Sequence, residues 1–327
     1  MLIISRTPLR LTLGGGGTDL PSYYSKFGGF VVTSSLDKYI YVVVKERFEE
    51  DVRVSYSITE IVRDVNNIRH PSVREALKLL GIEKHLEVVS IADVPSRAGL
   101  GSSGSFTVGL VHALHAFKGE NPSKLKIAEE ACHIEMDLLK EPCGKQDQYI
   151  AAFGGFKCLW IGKDGKVKVE DLKISDESIR ELESNLSFFY TGIIRDSYKV
   201  LSEQQKCIQT AEEALEAMHK IKEIGFKARR ALEKGDLAEW ARLQHEHWMA
   251  KRGTASSMTT SIIDKWYKLG IKNGAIGGKL MGAGGGGFLM FYTEGNKNRV
   301  RRAMAEEGLR EVKFSFSREG SKIIINI

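Results

Sequence analysis

The stretch PSRAGLGSSGSFTVGLVHALHAF, Pro95 to Phe117, is a glycine and serine loop that runs straight into an apolar helical segment. Gly99, Gly101 and Gly104 let a backbone turn tightly around a ligand, and free N–H groups at the helix start attract phosphate. A phosphate-binding loop is the first reading; a helix N-cap with glycine turns is the other. GLGSSG satisfies the dinucleotide pattern G-x-G-x-x-G, but Ala92 to Arg97 separate it from the preceding strand pattern, Leu86 to Ile91. A dinucleotide loop leaves its strand at once, and an acidic residue should close a second strand about 20 residues on, which is not seen here. The chain contains no G-x-x-x-x-G-K-[ST]. What remains is a loop whose Ser102, Ser103 and Ser105 add hydroxyls to backbone amides, as a triphosphate and its metal require.

Composition narrows the class. The chain has 327 residues, 42% of them hydrophobic, enough for a substantial core and long enough for two domains. The formal net charge is +6, with both signs spread along the chain and no basic block interleaved with aromatics. No nucleic-acid partner is indicated, while an anionic small substrate is compatible. Cys132, Cys143, Cys158 and Cys207 show neither C-x-x-C spacing nor a paired His pattern and read as reduced thiols of a cytoplasmic protein. The start MLIISRTPLRLTL is too soon interrupted by charge to read as a signal peptide, and no apolar run is long enough to cross a membrane.

Leu2 to Leu13 has strand character, broken at Pro8, and delivers the chain to GGGGTD, Gly14 to Asp19. Successive glycines suggest backbone brought close to something. A carboxylate on a rigid turn, Asp19, suits sugar hydroxyls, and Arg6 and Arg10 before it can oppose substrate or transition-state charge. The alternative is a solvated loop with surface charges. Phe30 to Thr33 and Tyr39 to Val44 read as strands with Asp37-Lys38 at the turn between them, and Asp51 to Tyr56 as another. Arg69 to Leu80 reads as a helix, Leu86 to Ile91 as a returning strand and Phe106 to Phe117 as the helix of the central loop. His112 and His115 lack a Cys or Glu partner at metal spacing and read as core or surface. Ser123 to Leu139 reads as one long amphipathic helix, with Glu135 near its apolar side, where a carboxylate needs a cation or a hydrogen-bond partner.

EPCGKQDQY, Glu141 to Tyr149, puts Asp147 at an expected helix start with Lys145 in reach. An acid there can position an attacking hydroxyl and take its proton late, as a kinase base must; a plain N-cap aspartate is the other reading. IGKDGKVKVED, Ile161 to Asp171, reads as a hairpin, and the lysine- and glutamate-rich region after it as the boundary between domains at residues 1–175 and 176–327. A strand, Leu186 to Thr191, leads to a turn carrying Arg195. Helical patterns follow over Ser202 to Ile224, Phe226 to Lys251 with a break near Gly235, and Ser257 to Leu269. His245 and His247, two apart, do not face together on a helix and are given no role. The late run Gly274 to Phe288 again implies close backbone approach, and a helix, Arg299 to Glu307, with strands Glu311 to Phe316 and Ile323 to Ile327, closes an α+β half.

Three glycine-rich stretches in this order, with PSRAGLGSSGS in the middle and KLMGAGGGGF late, closely resemble the GHMP superfamily of galactokinase, homoserine kinase, mevalonate kinase and phosphomevalonate kinase. The resemblance spans essentially the whole chain. It implies a two-domain α+β fold, with an N-terminal domain like ribosomal protein S5 domain 2, an unusual left-handed crossover, and a ferredoxin-like C-terminal domain, the active site lying between them. It implies ATP and Mg²⁺, with Pro95, Arg97, Gly99, Leu100, Gly101, Ser102, Ser103, Gly104 and Ser105 around the ATP phosphates. Ser102, Ser103 and Glu135 would hold the metal. Asp147 matches the family's catalytic aspartate, as base or as orienting group, with Arg10 and Lys145 as charge support. Gly16, Gly17, Thr18, Asp19, Arg195, Gly284 and Gly285 would meet the substrate, and Asp51 to Asn67 is the neighbourhood considered for adenine.

Where galactokinases carry glycine, glutamate, histidine, threonine and aspartate, this chain has GGGTD. RTPLRLTLGGGGTDLPSYYSKFGG and TGIIRDS look instead like D-glycero-D-manno-heptose 7-phosphate kinases, with the sugar 1-kinase domain of bacterial fucokinase a nearer relative than galactokinase. The implied reaction phosphorylates the anomeric hydroxyl of a sugar phosphate, with Arg97, Lys145 and Arg195 as donors to the substrate's existing phosphate. A 1-kinase of free L-fucose and a nonenzymatic binding or regulatory protein are the alternatives. A monomer or homodimer is expected.

Overall fold

The computed structural model describes residues 1–95, 98–194 and 196–327. β1 (Leu2–Gly14) and β2 (Gly29–Glu46) form an antiparallel ladder whose register shifts between Pro8 and Arg10 and again between Thr12 and Gly14. Pro8 cannot donate to a ladder, and the irregularity beside it is where such a residue is tolerated. β2 is one continuous strand, so Asp37 and Lys38 are not a turn. Asp37 bonds Ser315 through its own N–H and through its carboxylate, and a partner so distant in the chain leaves no local signature.

α1 (Pro21–Phe27) joins these strands. β3 (Val52–Ser55) and β4 (Thr59–Val62) make a hairpin, α2 (Pro71–Leu80) follows, and β5 (Leu86–Ala92) returns parallel to β3 and antiparallel to β2. α3 (Ser102–Phe117) is buried along most of its length, as expected of a helix apolar on nearly every side. It seats against β1 through polar pairs: Ser5 Oγ donates to the Gly109 carbonyl and Ser105 Oγ to the Pro8 carbonyl.

The expected Ser123–Leu139 helix is α4 (Lys124–Cys132), capped by Ser123, continued by a π-helical turn over His133–Leu138. α5 (Gln146–Phe153) leads to the hairpin β6 (Phe156–Ile161) and β7 (Val167–Asp171), as read from the sequence. α6 (Asp176–Asn185) and β8 (Leu186–Tyr190) begin the second half. The helical patterns there resolve into α7 (Ser197–Thr210), α8 (Glu212–Lys234), α9 (Leu237–Arg252) and α10 (Ser261–Lys272). Gly235 breaks the chain as expected, in the left-handed conformation that closes α8. β9 (Gly277–Leu280), β10 (Phe288–Tyr292), α11 (Lys297–Glu306) and β11 (Arg310–Glu311) complete it.

Among the described residues the second sheet runs β11-β8-β10-β9. β12 (Phe316–Ser317) and β13 (Lys322–Asn326) cross back, β12 pairing with β2 and β13 with β1. A cut at residue 175 therefore leaves these two strands in the first sheet. The fold is α+β in two parts, as expected, but α8 and α9 lock the parts together. Trp240 Nε1 and Gln244 Nε2 both donate to the Leu13 carbonyl, at 3.0 and 2.8 Å, and one apolar core includes residues of both sheets. Among the described residues no helix is long and apolar enough to cross a membrane.

Candidate active site

The bulged end of β1, the start of α3, the start of α5 and the inner face of α9 converge on a cleft of about 670 Å³. Arg10 rises from β1 with its side chain almost fully buried and grips Asp147, at the first turn of α5, by two bonds: Nε to Oδ1 at 2.7 Å and Nη2 to Oδ2 at 3.1 Å. Its Nη1 donates to the Gly99 carbonyl at 2.6 Å. One guanidinium thus ties the central loop to the carboxylate, using the fork geometry that arginine alone supplies. Gly101 makes this approach feasible, because a Cβ there would lie 2.9 Å from Arg10 Cγ and 3.1 Å from Asp147 Oδ2.

Asp19 lies at the same helix start. Its Oδ2 accepts the Gln146 N–H at 3.0 Å and its Oδ1 the Gly17 N–H at 3.1 Å. Burial pushes its carboxyl pKa above the usual range; the N–H donors oppose that shift, and nearby Asp147 adds to it. Glu135 projects from the π-helical turn into a buried position, where Ser103 Oγ and Thr107 Oγ1 donate to Oε1 at 2.7 and 2.9 Å and Gln148 Nε2 donates to Oε2. Burial raises its pKa as well, against those three bonds.

Gln148 Oε1 is buried without a hydrogen-bond partner. An orphan amide oxygen beside a carboxylate and a serine hydroxyl is an oxygen-donor set that fits a hard divalent cation. Among the described residues no group of three or more His, Cys, Asp or Glu side chains forms a metal cage. Magnesium normally needs only one or two carboxylates, because phosphates and water complete its shell.

The structure sorts the residues singled out from the sequence. Gly99, Gly101, Ser102, Ser103 and Gly104 line the cleft, as do Gly16, Gly17, Asp19, Arg10, Glu135 and Asp147. Leu100 is core, its carbonyl accepting the Arg10 N–H, and Ser105 turns inward to Pro8; Pro95 is not on the lining. Thr18 closes its own turn, donating to the carbonyls of Gly15 and Phe30. Gly284 and Gly285 pack on Met258, and Gly282 and Ala283 reach the cleft instead. Lys145 is directed away from Asp147: its Nζ donates to the Gly165 carbonyl at 2.6 Å, over the Tyr24 ring. The hairpin turn captures it. Arg97 and Arg195 lie outside the described residues.

Several lining groups were not singled out. Thr12 Oγ1 donates to Gln146 Oε1 at 2.7 Å and steadies the start of α5. Tyr56, His70 and Phe106 form an aromatic wall, with ring centroids 4.8 and 4.9 Å apart along the series; Tyr56 falls in the stretch considered for adenine. His247, Lys251 and Lys279 line the cleft as well. Judging His247 against His245 obscured the useful spacing, which is His247 to Lys251, four apart on α9 and so on one face. Gly282 brings the late glycine loop against the central one: its φ is +73° and a Cβ would lie 2.5 Å from Gly99 Cα.

Comparison with known proteins shows the family and the fold. The family model described as GHMP kinases N terminal domain matches residues 68–155, and that described as GHMP kinases C terminal matches residues 228–309. The chain is 32% identical to D-glycero-alpha-D-manno-heptose 7-phosphate kinase of Campylobacter jejuni, over 98% of each chain. It is 26% identical to L-fucokinase/L-fucose-1-P guanylyltransferase of Bacteroides fragilis, over 98% of this chain and 38% of that protein. Among solved structures, a D-glycero-D-manno-heptose 1-phosphate kinase from Bacteroides thetaiotaomicron superposes with a TM-score of 0.82 at 26% identity, over 99% of each chain. A sugar kinase structure from Campylobacter jejuni gives 0.79 at 30% identity, over 98% of each chain.

Proposed function

The chain belongs to the GHMP kinase family, and from that premise we propose that it transfers the γ-phosphoryl group of ATP to the anomeric hydroxyl of D-glycero-D-manno-heptose 7-phosphate, giving the 1,7-bisphosphate. The observation that carries this reading is the pairing of Asp19 and Asp147 at one helix start, facing a glycine and serine loop across a cleft that also holds buried cations. The names of the heptose kinase relatives put a phosphate on the acceptor already, which accords with a cationic wall.

In this reading the triphosphate lies along Gly99 to Gly104, with adenine against Tyr56, His70 and Phe106. Asp19 accepts hydrogen bonds from sugar hydroxyls and is held for that task by Gly17 and Gln146. Asp147, fixed by Arg10, orients the attacking hydroxyl through lone pairs that the guanidinium leaves open and accepts its proton as the bond to phosphorus forms. Arg10 meets charge developing on the transferred group. Ser103 and Glu135, with Ser102 beside them, would hold a magnesium ion, which when bound neutralises charge on the phosphates.

ATP turnover with Mg²⁺ against heptose 7-phosphate, free heptose, mannose 6-phosphate and L-fucose, with phosphorus NMR of the product, tests the assignment. A new anomeric phosphate on heptose 7-phosphate, formed in clear preference to turnover of the free sugars, is the expected result. Turnover of L-fucose with none of heptose 7-phosphate would move the chain to the free-sugar 1-kinases, the reading that the Bacteroides fragilis likeness favours.

A further inference from the structure

The reaction above leaves one wall of the cleft without a task. Lys279, on β9, is 3% exposed, and His247, on α9, is 2% exposed, yet both line the cleft. Lys279 Nζ stands 3.3 Å from His247 Nδ1. The Gly16 backbone favours the charged form of the His247 ring while Lys279 and Lys251 disfavour it, and Nε2 makes no hydrogen bond of ordinary geometry. Lys251, one helical turn beyond His247, donates to the Gly282 carbonyl.

Among the described residues Lys279 forms no ion pair. Nor can the nearby carboxylates of the cleft readily supply one, because Asp147 is held by Arg10, Asp19 by the N–H groups of Gly17 and Gln146, and Glu135 by Ser103, Thr107 and Gln148. The charges facing Lys279 from neighbouring elements are of its own sign. Burial first, then Lys251 and Arg10, pull its pKa well below the usual lysine value, and burial with Lys279 and Lys251 does the same to His247. A buried ammonium without an anion is costly. An incoming dianion reverses the sign of each of these interactions.

We propose that Lys279, His247 and Lys251 form the receptor for the phosphate the acceptor already carries, and so set the preference for a phosphorylated over a free sugar. This rests on the reading of the chain as a sugar phosphate kinase. A phosphate group can reach the cluster from two sources, the acceptor's own ester or the phosphoryl group in transfer. Kinetics separate them, since a receptor for the acceptor's ester affects only substrates that carry one.

The test is Lys279→Met, which keeps the volume and removes the charge, with Lys279→Arg as the charge-retaining companion. Lys279→Met should raise KM for heptose 7-phosphate by roughly 10- to 100-fold, the loss expected of charge-assisted hydrogen bonds. Its kinetics with free heptose should stay within about 2-fold of the parent, and Lys279→Arg should recover part of the lost affinity. An equal fall in kcat on both acceptors, with the KM ratio unchanged, would assign the cluster to the transferred phosphoryl and overturn the proposal. Failure of the parent reading would show separately, as wild-type protein with no preference for phosphorylated sugars. Inorganic phosphate, titrated calorimetrically without nucleotide, then decides: binding lost in Lys279→Met supports an anion receptor, and equal binding in both proteins excludes it. Melting of the variant at or above the parent temperature establishes that it is folded.

Discussion

On the α5 side of the cleft each carboxylate meets donors from its own chain, whereas on the α9 side Lys279 meets an imidazole. Asp147 takes a two-pronged arginine, Asp19 takes two backbone N–H groups, and Glu135 sits among two hydroxyls and an amide. The first side is organised before any ligand arrives, so binding there reorders little. The second sets buried basic groups against one another, an arrangement that an external anion relieves without loss of a proton. The difference predicts different responses: removing a carboxylate disturbs chemistry, and removing the buried lysine disturbs selection of the acceptor.

Asp147→Asn is the largest perturbation of that contrast. The amide oxygen can accept only one of the two Arg10 bonds and the side chain cannot take a proton from the acceptor, so kcat should fall by roughly 10²- to 10⁴-fold. KM for both substrates should move by only about 3-fold, because the glycine and serine loop and Asp19, which this reading assigns to binding them, are untouched. Steady-state kinetics beside a melting curve check this. A kcat loss below about 10-fold would make Asp147 chiefly the counter-ion of Arg10, and the α5 side a scaffold rather than a reacting surface.

Much of the α5 side was legible in the sequence because its chemistry is local: GGGGTD, PSRAGLGSSGS and GKQDQY each carry their glycine, serine and acid within a few residues. The α9 side was not. KLMGAGGGGF displays Lys279 plainly, but its burial comes from α9, a separate helix that brings His247 and Lys251 to it. The π-helical turn that aims Glu135 inward has no strong local signal, and neither has the return of β12 and β13 to the first sheet. Asp37-Lys38 looks like a turn until Ser315 arrives as its partner. Position in the fold decides such cases, and amino-acid type alone does not.

Glu135 sharpens the contrast through stability. Burial raises its pKa from the ordinary 4.5, so the folded protein keeps this proton to higher pH than the unfolded chain does. Its contribution to stability is fully present below pH 4.5 and is lost as pH rises through the folded value. Asp19, raised as well, acts with the same sign. Glu135→Gln should therefore melt at or above the parent at pH 7 in the absence of nucleotide and metal, with the gap narrowing as pH falls towards 4.5. Melting curves across that range check it. A variant less stable at neutral pH and unaffected in acid would mean that the hydroxyls and amide more than offset the cost of the buried charge.

Lys145 supplies the smallest effect and the control for Lys279. Both are lysines in glycine-containing motifs, and both were open to a role beside the phosphates. Lys145, however, already has an acceptor in the Gly165 carbonyl and an aromatic face in Tyr24, and it does not line the cleft. Lys145→Met should leave kcat within about 2-fold on either acceptor, and cost about 1 kcal/mol of stability through one lost hydrogen bond and a weak cation–π contact. The same substitution at two lysines then isolates the variable that matters, which is whether the lysine meets an oxygen acceptor of the folded chain, as Lys145 does, or an imidazole, as Lys279 does. A 10-fold or larger loss of activity in Lys145→Met would show that the β6–β7 hairpin positions α5 through this lysine, and that the organised side of the cleft depends on a support outside it.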